Sequence, residues 1–171
     1  WTGVFMTIPP IVSLLAGMLG GSLADRFGRR KVMLWGTGIQ LMMFILFASS
    51  NLIWIDYLAF LGITIGTGIY KPASDAMVTD TVPAEQRKEV FATFLTGSNL
   101  GAVGGPILGA WLFFDYRDEL LWCCAFVLTI YLILIYTRFK ETLPMDNVLA
   151  FKGGAISPIK ELKGYMTILK D

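Results

Sequence analysis

Charged residues divide this chain into long apolar segments. Four uncharged runs are separated by short polar stretches, and a fifth run, residues 57–70, continues to Met77 through Lys71 and Asp75. A helix needs about 20 predominantly apolar residues, at about 1.5 Å each, to cross a bilayer. The pattern therefore predicts an all-α membrane protein, a transmembrane helix bundle with spans at about 1–24, 32–53, 54–78, 88–114 and 119–138.

The last part of the chain has a different character. Residues 1–138 form the predicted bundle, whereas 139–171 are mixed polar and apolar. Residues 141–154 contain Pro, Asn and a Gly pair and are typical of a loop. Ser157-Pro158 then favours the start of a short amphipathic helix at the membrane surface.

Basic residues are distributed unequally between the two sets of loops. The first, third and fifth spans are followed by Arg26, Arg29, Arg30, Lys31, Arg87, Lys88, Arg138 and Lys140. The other two loops contain Arg117 as their one basic residue. Because cytoplasmic loops carry the excess of Lys and Arg, we expect a multi-pass protein of the cell membrane. The basic loops and the C-terminal tail are then cytoplasmic.

The composition excludes several classes of function. The chain has 171 residues, 55% of them hydrophobic, and no His, so histidine metal sites and Ser-His-Asp catalysis are excluded. The 14 basic and 13 acidic residues nearly balance, so nothing indicates a nucleic-acid partner. We expect neither a cofactor, a metal site nor an enzyme. A membrane enzyme or scaffold stays a remote alternative. An enzyme would need a polar catalytic cluster, and the best group of carboxylates in this chain, at residues 115–119, is typical of a solvated loop.

Small residues recur at helical spacing within the predicted spans. In the fourth span a glycine stands at every fourth position, Gly97, Gly101, Gly105 and Gly109. The first and third spans contain shorter rows of the same kind. Such rows let helix backbones approach closely in lipid. We therefore expect a packed bundle rather than independent anchors.

The segment between the first two spans is rich in charge. Asp25 precedes a predicted turn at Gly28, and Arg29, Arg30 and Lys31 begin the next helix. Cations at a helix N-terminus oppose its macrodipole, so they need partners, and Asp25 is within reach. The alternative is a positive-inside hairpin whose charges are simply solvated.

Residues 21–30 resemble the signature loop of the major facilitator superfamily, Gly-x-Leu-Ala-Asp-Arg-x-Gly-Arg-Arg. The functional positions of that loop fall here on Gly21, Asp25, Arg26, Gly28, Arg29 and Arg30. The resemblance implies the second to sixth of twelve helices, so a first helix and a C-terminal half would lie outside this chain. It also implies that Asp25 engages a helix of the other half in the outward-open state. Arg29 and its neighbours would join a charge network with the next cytoplasmic loop.

That next loop carries a second resemblance. Asp80, Pro83 and Arg87 match the spacing of the family's acidic-x-x-Pro-x-x-x-Arg linker. The alternative is a proline turn in which Asp80 or Thr81 caps the following helix.

The fourth span carries a third resemblance. Its Gly101, Gly105, Pro106 and Gly109 are similar to the Gly-x-x-x-Gly-Pro-x-x-Gly-Gly motif of antiporters in the same family, with Ala110 replacing the last glycine. Pro106 should kink the helix. A general close-packing face explains the same residues equally well.

The resemblance is greatest to the drug/proton antiporter branch. It implies a secondary active transporter that exports drugs or metabolites by rocker-switch alternating access. Its partners would be the lipid bilayer, a small-molecule substrate and protons. Candidate residues of the substrate cavity are polar positions inside the spans, Thr67, Tyr70 and Asn99.

An uncoupled uptake facilitator for a sugar or another metabolite is the alternative. Gly62 favours it, because antiporters often carry an Arg at that position. No carboxylate lies in the middle of these spans, so a proton-binding acid would come from outside the chain. Lys71 and Asp75, one helical turn apart, are interpreted as an ion pair that reaches water at the cytoplasmic boundary.

Overall fold

The computed structural model describes residues 2–142, with side chains from Thr7 onward. The described part contains five α-helices and no strand, which confirms the predicted helical membrane fold. The predicted amphipathic helix of the tail lies outside the described residues. The helices are α1 (Thr2–Phe27), α2 (Arg29–Ser49), α3 (Ile53–Thr81), α4 (Arg87–Leu112) and α5 (Arg117–Arg138).

The helices extend into the charged segments that separate the apolar runs. α1 continues past residue 24 to Phe27, and α2 begins at Arg29, as the predicted turn at Gly28 indicates, before the apolar span that starts near residue 32. Gly28 is the one residue between them, with φ of 102°. This left-handed conformation favours glycine and ends α1 without a longer loop. Charge therefore marks the ends of the apolar spans, while the backbone at Gly28 sets the helix ends.

Within the described residues, four helices are long and apolar enough to cross a membrane. They are α1 from Thr7 onward, α2, α3 and α5. α4, predicted as a span over 88–114, is not among them. Its glycines and its polar Thr93, Thr96, Ser98 and Asn99 lower the apolar content of the segment.

The bundle is organised around α3. α2 and α1 both pack extensively against α3, and α5 packs against α2. Glycines set the closest approaches: a Cβ on Gly36 of α2 would lie 2.8 Å from the carbonyl oxygen of Gly66 on α3. A Cβ on Gly20 of α1 would lie 2.8 Å from the backbone of Ile69. Small residues thus bring the backbones together where lipid supplies no hydrophobic drive for association.

α4 stands apart from this packing. α4 makes no extensive interface with the other helices of residues 2–142, and none of its residues is buried. Within the described part of the chain, a Cβ added to Gly97, Gly101, Gly105 or Gly109 would meet no atom within 4 Å. The packing partner predicted for this glycine face is therefore not found among residues 2–142.

Arg117 joins three elements at the end of the bundle where α2 ends and α3 and α5 begin. Its guanidinium donates to the carbonyl oxygens of Phe47 (3.3 Å) and Ser50 (3.1 Å) at the end of α2. It also forms an ion pair with Asp56 in the first turn of α3, at 3.1 Å. A cation at a helix C-terminus and an acid at a helix N-terminus both complement the helix dipoles. The single basic residue of these loops thus fastens α5 to the α2–α3 turn.

The packing of α2 on α3 generates a stability prediction. Gly36→Ala should destabilise the full-length protein by about 1–3 kcal/mol, because its Cβ meets backbone rather than a movable side chain. Gly38→Ala in the same helix is the matched control, since its Cβ meets one side-chain atom at 3.9 Å. Thermal unfolding in detergent should place Gly36→Ala below both wild type and Gly38→Ala. Equal midpoints for the two variants would contradict the close approach.

Candidate functional site

Arg29 lies at the centre of a charge cluster at the basic end, the end of the bundle formed by the α1–α2 junction, the end of α3 and the end of α5. Its side chain is 12% exposed. Its guanidinium pairs with Asp80 in the last turn of α3 and donates to the carbonyl oxygen of Ala76 at 2.9 Å. The hydrogen bond from Arg29 to Ala76 joins residues that are 47 positions apart in the sequence, and it fastens the start of α2 to the end of α3.

Asp25 is the more exposed of the two acids that contact the Arg29 guanidinium. It lies one turn before the end of α1, with its carboxylate 3.8 Å from the guanidinium of Arg29. The Asp25 side chain is 56% exposed, against 25% for Asp80. Arg29 therefore contacts both acids, but only Asp25 presents much of its carboxylate outward.

The other residues of the first motif have separate environments. Arg30 donates to the carbonyl oxygen of Tyr136 in α5 and lies over the Tyr136 ring, with its guanidinium carbon 5.3 Å from the centroid. Arg26 lies over the ring of Phe27 at 5.3 Å. A Cβ added to Gly21 would meet no atom of the described residues within 4 Å. The structure thus brings Arg29 and Asp25 together with Asp80, whereas Arg30 contacts α5.

The second motif forms the turn between α3 and α4. The backbone N–H of Gln86 donates to the carbonyl oxygen of Pro83 at 3.0 Å, and Arg87 donates to that of Val82 at 3.1 Å. Asp80 and Thr81 both belong to α3, and the Thr81 hydroxyl donates back to Met77. The alternative in which either residue caps α4 is therefore wrong.

The three cavity candidates lie on two helices. Thr67 is exposed on α3, and its hydroxyl accepts a hydrogen bond from Gln40 of α2 at 3.0 Å. Tyr70 is half-buried, and its hydroxyl bonds to that of Tyr131 on α5. Asn99 is exposed on α4, which makes no extensive interface with the other helices of residues 2–142. The structure does not bring the three together, and their role in substrate binding stays a prediction.

Two further features of α3 concern the predicted coupling of transport to protons. Lys71 and Asp75 form an exposed ion pair, with 3.5 Å between Nζ and the carboxylate. Gly62 lies against α2, where an added Cβ would be 2.5 Å from the side chain of Met43. A long side chain at position 62 would have to displace Met43, so helix packing accounts for the glycine there.

One member of the basic end has no signal in the sequence. Glu141, three residues after α5, accepts a hydrogen bond from the backbone N–H of Arg29 at 2.8 Å. The sequence pattern predicts only the start of a loop at Glu141. Because 112 residues separate the two partners, no local sequence pattern could have indicated the contact.

Comparison with known proteins gives a consistent result. A family model described as the Major Facilitator Superfamily matches residues 2–169. A Na(+), Li(+), K(+)/H(+) antiporter of Planococcus maritimus is 35% identical over an alignment covering 99% of this chain and 42% of that protein. Multidrug resistance protein MdtH of Cronobacter sakazakii is 27% identical, over 67% of this chain and 29% of that protein.

A solved structure agrees on the fold. The peptide transporter POT in its E310Q form, bound to alafosfalin, superposes with a TM-score of 0.69 at 23% identity. The superposition covers 96% of this chain and 34% of the peptide transporter. The chain thus spans less than half the length of the proteins to which it is similar.

Asp80 and Asp25 differ in exposure, and this difference predicts unequal interaction energies with Arg29. Double-mutant cycles in the full-length protein should combine Arg29→Gln with Asp80→Asn and, separately, with Asp25→Asn. Coupling to Asp80 should be roughly 1.5–3 kcal/mol, as for a shielded charged hydrogen bond. Coupling to exposed Asp25 should be about 0–1 kcal/mol. The free energy of unfolding of each single and double variant provides the measurement. Equal coupling energies for Asp80 and Asp25 would contradict the prediction that the more exposed acid interacts more weakly with Arg29.

Proposed function

Because this chain belongs to the major facilitator superfamily, we propose that it forms part of a secondary active transporter that exports small solutes in exchange for protons. The protein resides in the cell membrane with its basic end in the cytoplasm, as the distribution of Lys and Arg indicates. Substrate passes between this bundle and the remainder of the polypeptide, which rock about a central site.

The observation that carries this proposal is the arrangement of the Arg29 cluster. Arg29 joins α1, α2 and α3 through Asp25, Ala76 and Asp80, so these contacts lie within one bundle. A rocking motion between two bundles leaves contacts of this kind intact. Asp25, held beside Arg29 yet 56% exposed, is then the member that contacts the other bundle when the cytoplasmic side closes.

The relatives suggest which solutes to test. The antiporter of Planococcus maritimus is named for Na⁺, Li⁺ and K⁺ exchange with H⁺, and 99% of the present chain aligns with it. MdtH is named for multidrug resistance. We therefore propose monovalent alkali cations as the first solutes to test and amphipathic drugs as the second.

An uncoupled facilitator is the second candidate. The residue that favours it is Gly62, at the position where antiporters often carry an Arg. Since Gly62 is packed against Met43, the requirements of the α2–α3 interface explain its small size without reference to coupling. The observation therefore favours neither mechanism, and a transport assay must separate them.

Proteoliposomes of the full-length protein provide that assay. With an acidic interior reported by a pH-sensitive dye, adding Na⁺, Li⁺ or K⁺ outside should dissipate the pH gradient as protons leave in exchange. Drug exchange should give the same response. Protein-free liposomes are the control. Solute entry that proceeds at the same rate with and without a pH gradient, and moves no protons, would favour the uncoupled facilitator.

A further inference from the structure

The N-terminus of α2 has an unusual electrostatic composition. Its first turn contains Arg29, Arg30 and Lys31 and no acidic residue. The residue before it, Gly28, has no side chain with which to cap the helix. Free backbone N–H groups and three cations therefore coincide with the positive end of the helix dipole, an unfavourable arrangement unless an acid is supplied from elsewhere.

Glu141 supplies that acid. Its carboxylate accepts from the Arg29 backbone N–H at 2.8 Å, and the same oxygen accepts from the Thr142 backbone N–H at 3.2 Å. The Arg29 side chain is already occupied by Asp80 and Ala76. Glu141 thus acts on the backbone of the same residue whose side chain organises the charge cluster.

The geometry of Gly28 fits the presence of this carboxylate. A Cβ on Gly28 would lie 2.4 Å from Oε2 of Glu141, so any side chain there would displace the carboxylate. Gly28 is buried and has φ of 102°. Glycine is thus favoured at this position both by the left-handed backbone and by the space that Glu141 occupies.

The contact is reciprocal between α2 and α5. Arg30, at the start of α2, donates to the Tyr136 carbonyl oxygen in the last turn of α5. Glu141, just after α5, accepts from the first N–H of α2. The end of α5 therefore receives a cation from α2, and the start of α2 receives a carboxylate from the segment that follows α5, as the two helix dipoles favour.

From these contacts we propose that Glu141 is a positioning residue for residues 25–31, which we call the gating loop because they contain Asp25, the residue that contacts the other bundle in the transporter proposed above. It fixes the start of α2, and through Arg29 the orientation of Asp25, so that the segment leaving α5 and the α1–α2 junction move as one unit. The part of this proposal that concerns gating rests on the transporter function proposed above. The positioning itself is a property of the folded bundle.

Hydrogen–deuterium exchange of the full-length protein in nanodiscs tests the positioning directly. Glu141→Ala should accelerate exchange about fivefold at residues 25–31, because a lost cap makes local opening easier. Glu141→Gln, whose amide oxygen still accepts, should lie between wild type and Glu141→Ala. Lys140→Ala is the matched control and should exchange as wild type. Unchanged exchange in Glu141→Ala, or acceleration confined to residues 29–31, would overturn the proposal.

Transport provides the second measurement and separates the two proposals. Glu141→Ala should lower the maximal exchange rate severalfold with little change in KM, and Glu141→Gln should restore part of the rate. An unchanged rate in Glu141→Ala would overturn the coupling to gating. If wild type exchanges no solute for protons, the proposed function fails, while the deuterium measurement still decides whether Glu141 positions the loop.

Discussion

The ion pair between Arg29 and Asp80 is the contact on which the basic end depends. It joins the start of α2 to the end of α3, and Asp25 and Glu141 approach the same arginine from α1 and from beyond α5. Three successive cations at a helix N-terminus oppose the helix dipole. The surrounding acids offset that cost, and in doing so they fix the relative positions of four chain segments.

Two kinds of contact hold the rest of the bundle. In the middle, glycines such as Gly36 and Gly66 let backbones touch, because lipid supplies no hydrophobic drive between helices. At the ends, charged side chains meet helix termini: Arg117 at the end of α2, and Arg30 and Glu141 between α2 and α5. α4 lacks the first kind, since a Cβ on its glycine face would meet no atom within 4 Å among residues 2–142, and its first residue, Arg87, contacts the end of α3 through the carbonyl oxygen of Val82. Its motif therefore stays a prediction, whereas the Arg29 motif has a defined geometry.

Local sequence patterns predicted those features that depend on local physics. Apolar runs indicated the order of the helices within residues 2–142, and the charge order around Gly28 indicated that Arg29 and Asp25 lie together. The charge order also predicted that Arg29 begins the helix after Gly28, although the apolar run begins later, and the backbone at Gly28 sets that boundary. Glu141 and the Tyr70–Tyr131 pair were not predicted. Both depend on how α5 packs beside α2 and α3, which no single segment encodes.

The most direct measurement compares wild type with Asp25→Asn in the full-length protein, by solute turnover in proteoliposomes and by thermal unfolding. If exposed Asp25 acts on the other bundle, turnover should fall about tenfold or more, as loss of one charged hydrogen bond implies. The unfolding midpoint should stay near that of wild type, because this carboxylate contributes little within its own bundle. Undiminished turnover with an unchanged midpoint would contradict the gating role of the cluster.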